Sequence, residues 1–383
     1  MRVALVSDYY YPDLGGMPEH VHYLGRELSR RGHQVTVITT AFPQAKQLRP
    51  VAAPPYEVVR LGRASGALIA NGSVSRAAIG LGLRRQLSAL FARQRPQIIH
   101  VHAPIFPTLA LLAISCAPPA ARLVGTLHTH FEDSQILRFF RRPLQRYLDE
   151  LDGIIAVSQS AIDSMRRVGF TCDGALIPNG VAMDEWGHGQ QLPNFTDTRL
   201  NLLVQARLEP RNHVDTVISA LRCLPASERA RARLLVVGDG PALAQLRAES
   251  AGLEVVFAGP QLSERPNFAA TSDVYCFSAA IASHPMSLLE GMAAERPVLA
   301  HDIDGVRQLV SDGVEGFVLP LRDPGAYAAA ISRLLHNPEL RRKMGQAARR
   351  RAAAFGWDRV AGLVEDFYRS VLTRAQSEQR IDR

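Results

Sequence analysis

Two arginines, Arg207 and Arg211, bracket Glu209 and Pro210 in the stretch QARLEPRNHVDTVISAL, between an apolar run that reads as a strand and a run with helical spacing. A guanidinium is a planar fork of donors that fits phosphate oxygens, so two of them at the carboxyl end of a parallel strand suit a diphosphate. An ion pair of both with Glu209 is the other reading, and the sequence leaves the two open. VVGDGPALAQL repeats the order strand, glycine loop, helix, with Gly238 and Gly240 in the loop. In ASHPMSLLEGMAAERP, Met286, Ser287 and Leu288 stand at a helix start, where backbone N–H groups lack intrahelical partners, and Glu290 follows one turn in. An ionised carboxylate has only acceptors and can hold both hydroxyls of a ribose cis-diol. A plain first-turn glutamate, favoured by the helix dipole, would look the same. Several helix N-termini in one half of the chain favour an anionic ligand.

The first half carries fewer chemical groups. In PDLGGMPEHVHYLGRELSRRGH, Gly15 and Gly16 precede a helix with Pro18 near its first position. Glycines there either make a tight strand-to-helix turn or let backbone N–H groups approach a phosphate or sugar. Tyr9 and Asp13, beside that loop, are acceptor-side candidates by position. His128, in GTLHTHF beside His130, ends an apolar run and is a candidate for facing a ligand. There is no Ser-His-Asp order, no HExxH and no metal-ligand spacing; HDID at 301–304 reads as a strand-to-loop junction. No metal and no cofactor are expected.

These groups need a scaffold, and the apolar runs supply it. RVALV, QVTVITT, EVVRL, QIIHVH, RLVGTL and GIIAV in the first half, then LLVQA, RLLVVG, EVVFAG, DVYCFS, PVLA and GFVL, alternate with helical patterns. Continuous apolar strands separated by helices read as parallel sheets built from βαβ units. A chain of 383 residues is long for one core, so the expected class is α/β with two doubly wound domains. The break is placed in the turn-rich IPNGVAMDEWGHGQQLPNFTDTRLN, giving domains 1–185 and 186–356, with residues 357–383 as a terminal helix whose tail beyond Thr373 frays.

Composition narrows the class. With 47% hydrophobic and 21% charged residues and no apolar run near the length of a membrane span, the chain reads as a soluble protein without an export signal, expected in the cytoplasm. The four cysteines are scattered and read as buried thiols. Arginine carries the +8 charge, Lys46 and Lys343 being the only lysines. The arginines cluster at 84–95 and 138–146, either as solvated helix faces or as contacts to an anionic membrane; no nucleic-acid motif is present.

Taken together, PDLGGMPEHVHYLGRELSRRGHQVTVIT, NGSVSR, HVHAP, GTLHTHF, IPNGV, ARLEPRN, VVGDGP, MSLLEGMAAERPVLAHDIDGV and FGW resemble the retaining glycosyltransferases of the GT-B fold (family 4 type), especially the phosphatidylinositol mannosyltransferase branch. The resemblance implies two Rossmann-like domains facing a cleft, acceptor mainly on the first and nucleotide-sugar donor mainly on the second, with the last helix crossing back to the first. It implies that Gly16 lies against the donor diphosphate, Arg207 neutralises it, Glu290 binds the ribose and His128 sits beside the transferred sugar. The partners so implied are a nucleotide-diphosphate sugar and a hydroxyl acceptor, lipid or small molecule, with peripheral contact at the inner membrane face. The chain departs from the family pattern at the sugar end. Ala282 replaces the first of two glutamates eight positions apart, Pro285 replaces a glycine, and Asn212 falls where a phosphate-binding lysine is usual, with Arg211 beside it. Glu295 and Asp304 stand where glycine is common. Alternatives are a non-catalytic nucleotide-sugar binder or pseudo-glycosyltransferase, for which Ala282 argues, and a sugar-nucleotide epimerase; a phosphorylase would need a pyridoxal lysine in a site motif.

Overall fold

Strands that are apolar on both faces have to be covered on both faces, and the chain does this with two parallel sheets flanked by helices. A computed structural model describes residues 1–13, 15–41, 53–70, 73–80, 82–105, 109–128 and 134–381, with side chains outside 64–79 and 375–381. His130, Asn71 and Gly72 lie outside the described residues.

The first half forms β1 (Arg2–Val6), β2 (Gln34–Thr40), β3 (Glu57–Leu61), β4 (Arg63–Ala70), β5 (Ser73–Ile79), β6 (Ile98–His102), β7 (Arg122–Leu127), β8 (Gly153–Ala156) and β9 (Ala175–Leu176). Seven of these make one sheet in the order β3-β2-β1-β6-β7-β8-β9, while β4 and β5 pair antiparallel as a separate ribbon. The second half forms β10 (Leu200–Gln205), β11 (Ala232–Val237), β12 (Val255–Gly259), β13 (Val274–Phe277), β14 (Val298–His301) and β15 (Gly316–Leu319), in the order β12-β11-β10-β13-β14-β15. All pairings within the two sheets are parallel; Val3, for example, lies opposite both Val35 and Ile98. The strand order reverses between β1 and β6 and again between β10 and β13. At such a switch point the loops leaving the two strands part on opposite faces and open a crevice at the carboxyl ends. The Gly15-Gly16 loop follows β1; Arg207–Asn212 follow β10, and 278–285 follow β13.

The chain divides into two compact units, one holding the residues up to Asn179 and from Trp357 on, the other Gly180–Gly356. Each has its own core. Val6, Ile38, Phe91, Ile99, Val101 and Leu109 are fully buried in the first, and Leu202, Leu234, Val236, Tyr327 and Ile331 in the second. The turn-rich stretch 180–199 is part of the second unit and contains the helix Met183–Gly187, whose Trp186 is buried. The terminal helix runs Trp357–Ile381, past Thr373 where a frayed tail was expected, because AQSEQR is made of good helix formers. It belongs to the first unit: Tyr368 is buried there, and Glu365 takes Arg31 (3.3 Å) and His33 (3.2 Å). Of the cysteines, Cys172 and Cys276 are buried, but Cys223 ends a helix on its outer side and is exposed, contrary to expectation.

Candidate active site

In the second unit, two strand-to-helix loops are tied into one floor. Leu208 donates its N–H to the carbonyl of Asp239 (2.9 Å), and Ala242 donates to that of Leu208 (2.8 Å). This close approach requires the two loop glycines. A Cβ on Gly238, whose φ is 149°, would lie 1.9 Å from the Ala206 carbonyl oxygen, and one on Gly240 2.5 Å from that of Leu208. The glycines thus fit backbone to backbone, an explanation that needs no ligand. A third loop joins the floor through Ala280, whose N–H reaches the Arg211 carbonyl (3.0 Å), and Ser278, whose hydroxyl reaches that of Asn212 (2.7 Å). That loop runs on to the helix Met286–Ala293.

Arg207 and Arg211 both engage Glu209. Arg207 Nη1 stands 3.4 Å from Oε1, and Arg211 Nε donates to Oε2 at 2.9 Å, while the carboxylate itself is nearly buried. The ion-pair reading of these residues is therefore realised. Arg207 nevertheless keeps 42% of its side chain exposed, so its guanidinium is within reach of a ligand. Asn212, in place of a lysine, spends its amide N–H on the Arg207 carbonyl (2.6 Å) and shapes the loop.

The helix Met286–Ala293 has no side-chain cap, and Pro285 at its N-cap has no N–H to give. Met286, Ser287 and Leu288 hold its first backbone amides. Glu290, one turn in, is buried and bonded to Arg265, which lies 5.1 Å over the Trp186 ring and places its Nε 3.4 Å from Gln205 Oε1. The sequence reading had Glu290 without this partner. Trp186 sits in the turn-rich stretch read as a linker and Arg265 opens the short helix Arg265–Thr271, which carries no motif, so nothing local marked the pair.

The helix Met286–Ala293 ends in a Schellman turn. The Glu295 N–H meets the Met292 carbonyl (3.0 Å) and the Arg296 N–H that of Gly291 (3.1 Å), which leaves Glu295 at φ 63°. A left-handed position after a helix favours glycine for backbone reasons alone, and Glu295 occupies it here. Glu295→Gly is expected to stabilise the protein by about 1 kcal/mol, measured as a higher urea midpoint at unchanged m-value. Asp304 is likewise turned to its own short helix, where it pairs with Arg307 (3.3 Å).

In the first unit, the helix Gly16–Arg30 starts at Gly15, whose φ of 150° favours glycine; Gly16 is exposed and Tyr9 and Asp13 half-buried nearby. Ser7 Oγ accepts the Tyr9 N–H (3.2 Å), and the Asp13 N–H meets the Tyr10 carbonyl (3.1 Å), so the loop is folded on itself. His128 follows β7 and joins a histidine cluster that the sequence reading did not expect. His102 Nδ1 and His128 Nε2 are 2.9 Å apart, and the His20 ring meets that of His128 edge to face at 4.6 Å. His20 Nδ1 is 2.9 Å from Asn179 Oδ1, and His100 lies between Tyr368 (2.6 Å) and Thr126 (2.5 Å). Ring nitrogens of His20, His102 and His128 fall within 4.8 Å of one another, but a cation there would have to displace the His102–His128 hydrogen bond.

Burial first, and then the neighbouring imidazoles, push His102 and His128 well below the ordinary histidine range. Burial likewise lowers His20 to about 4 and His100 to about 3. The rings are neutral at neutral pH, so each has one donor and one acceptor nitrogen. His102 Nε2 is buried without a partner. The less costly tautomer leaves a lone pair there, which makes His102 Nδ1 the donor to His128 Nε2 and puts the His128 proton on Nδ1. His128 then presents an N–H as a neutral donor. HVHAP held one clue, since period two puts His100 and His102 on one face of a strand.

Two units of this topology make the GT-B fold. Residues 190–351 match the family "Glycosyl transferases group 1" and residues 14–185 "Glycosyltransferase Family 4", and the chain belongs to these glycosyltransferases. The phosphatidyl-myo-inositol mannosyltransferase of Mycobacterium leprae is 31% identical over 390 residues, 99% of each chain. The O-antigen chain mannosyltransferase C of Escherichia coli is 30% identical, covering 92% of this chain and 93% of the other. Among solved structures, HepE of Anabaena in complex with UDP-glucose superposes with a TM-score of 0.77 at 17% identity, over 97% of this chain and all of the other. Sucrose-phosphate synthase of Thermosynechococcus elongatus gives 0.75 at 21% identity, over 97% and 99%.

Proposed function

We propose that the protein is a retaining hexosyltransferase that moves a sugar from a nucleotide-diphosphate donor to a hydroxyl of a lipid acceptor at the inner face of the membrane. The observation that carries this is the joining of three helix-opening loops of the second unit into one amide-lined, arginine-bearing floor. Arg207, Arg211 and the amides of Met286, Ser287 and Leu288 hold the pyrophosphate, helped by the loop at Gly240. Glu290 takes the ribose. Arg265 on Oε2 is compatible with this, because a carboxylate has about four lone-pair positions.

In the reaction the anomeric C–O bond to the diphosphate breaks and its electron pair leaves with the β-phosphate oxygen. The acceptor hydroxyl attacks on that same face and gives its proton to the departing phosphate, which accounts for retention. Catalysis is then charge stabilisation and placement, without a protein nucleophile or a metal. His128 donates to the sugar as a neutral ring, and Tyr9 and Asp13 receive the acceptor. Ala282 brings no charge where the family pattern noted above has a glutamate, so the sugar differs in the hydroxyls it offers, or sits lower in the site.

Calorimetric titration with UDP, GDP and ADP and their hexose conjugates tests the donor half. One of the three bases should bind, and Glu290→Ala should weaken it by about 1.5–3 kcal/mol, roughly tenfold or more, since charge-assisted bonds to the ribose are lost. No binding by any nucleotide rejects the donor site. Nucleotide binding without transfer or donor hydrolysis would favour the non-catalytic binder to which Ala282 points.

A further inference from the structure

We propose that Arg322 is a positioning residue: through His213 it holds the loop Arg207–Asn212 in the shape that grips the donor's diphosphate. The inference deepens the donor reading and rests on it for what the loop binds, but not for whether the loop is held.

The loop leaves β10, and His213 closes it at the N-cap of the helix Val214–Cys223. Its φ is 43°, in the left-handed region, and its side chain makes no capping bond. The ring turns instead to Arg322, beyond the end of β15, whose Nε–H donates to His213 Nε2 (3.1 Å). Arg322 is itself left-handed, at φ 57°. Two residues in a conformation that favours glycine thus meet side chain to side chain, and strain of this kind persists only where the surroundings impose it.

The contact sets the chemistry of both partners. Arginine has no acceptor, so His213 Nε2 has to be a bare nitrogen. The Arg322 backbone N–H makes the same demand on His301, the last residue of β14, whose Nε2 it meets at 3.3 Å. Both rings are therefore neutral with the proton on Nδ1. Burial, and then the Arg322 charge, lowers His213 from the ordinary histidine range, and burial lowers His301 to about 4. His213 Nδ1 faces Asp215 at 3.8 Å, and the His301 ring stands edge to face on Tyr327 at 5.4 Å. One arginine, by its main chain and its side chain, joins the loop after β10 to the ends of β14 and β15.

On its other side the loop is tied toward β13, where the Arg211 and Asn212 carbonyls accept from Ala280 (3.0 Å) and Ser278 (2.7 Å). Bonds on one side leave a hinge, and the bond to Arg322 closes it. The helix starts on either side need no such bond for packing, since Val214, Val217, Tyr327 and Ile331 are buried in the core. Arg322 is exposed, so its contact adds little to global stability and acts on the loop.

Hydrogen exchange and nucleotide titration of the full chain test this with Arg322→Ala, Arg322→Lys and His213→Gly. In the free protein, Arg322→Ala should speed amide exchange in peptides covering 207–213 about three- to tenfold and leave the strands unchanged. It should weaken whichever of UDP, GDP and ADP binds by about three- to tenfold, and leave the corresponding nucleoside, which has no phosphate for the loop to hold, unaffected. Arg322→Lys should recover part of the loss. His213→Gly relieves the left-handed backbone, so it should fold at least as stably and still lose diphosphate affinity. The double variant Arg322→Ala with His213→Gly should lose no more than the larger single loss, because both changes cut one bond. Unchanged exchange in 207–213 overturns the proposal. So does faster exchange with unchanged diphosphate affinity, or an equal loss of nucleoside and diphosphate, either of which makes the contact structural only. If no nucleotide binds the wild type, the donor reading falls and exchange alone decides whether Arg322 orders the loop; equal diphosphate binding by the wild type and all variants keeps the donor reading and removes the positioning role.

Discussion

Arg207→Ala is expected to lower kcat for sugar transfer about 100- to 1,000-fold, the usual cost of removing one donor aimed at charge that develops in the transition state. The departing diphosphate gains negative charge as the anomeric bond breaks, and an exposed guanidinium fixed 3.4 Å from a nearly buried Glu209 cannot drift from its place. Kinetics divide the roles. If Arg207 acts mainly on the transition state, kcat and kcat/KM fall together with KM nearly constant; a raised KM at constant kcat would show that it holds only bound donor. Arg207→Lys should recover part of the loss, since an ammonium restores charge but not the two-pronged geometry. The partly exposed pair with Glu209 is worth little to stability, so the melting temperature should barely move. A collapse of folding in Arg207→Ala would make the ion pair structural and void the kinetic reading.

The parts of this site that follow a strand were legible in the sequence, and those assembled from distant segments were not. Apolar strands, glycine loops and helix starts are local patterns, so Arg207, Gly240 and the helix at Met286 could be placed before any coordinates. The Arg265–Glu290–Trp186 group joins three segments separated by a strand or more, and no spacing predicts it. The histidine cluster draws on residues 20, 100, 102 and 128, with partners at 179 and 368. The ribbon β4–β5 was missed because RASGALIA and SVSRAAI are rich in small residues, which erase the contrast between faces that marks a strand. Glycine was legible as a turn but its cause was not: a Cβ on Gly240 would lie 2.5 Å from the Leu208 carbonyl oxygen, a constraint no spacing shows.

That buried cluster should make the protein sensitive to mild acid. The folded-state pKa values of His20, about 4, and His100, about 3, lie below the unfolded value near 6.5. Between these limits the unfolded chain binds protons that the folded chain refuses. The stability contributed is therefore complete above pH 6.5 and is lost as pH falls through the window toward 4 and 3. At pH 5 each of the two rings costs about 2 kcal/mol, together about 4 kcal/mol, a large part of the stability of an ordinary domain. His102 and His128 shift in the same direction, and protonating His128 at Nε2 removes the acceptor of the 2.9 Å bond between them. Folded molecules keep these rings neutral through that window, so transfer should be lost together with the fold and not before it. Urea midpoints measured at pH 7.5 and at pH 5 should drop by the corresponding amount at similar m-value, and His20→Gln, which keeps a hydrogen-bonding group but cannot charge, should flatten the pH slope even if it lowers stability at neutral pH. Equal midpoints at both pH values in the wild type would mean that the cluster is open to water and that His128 is not held neutral for the sugar.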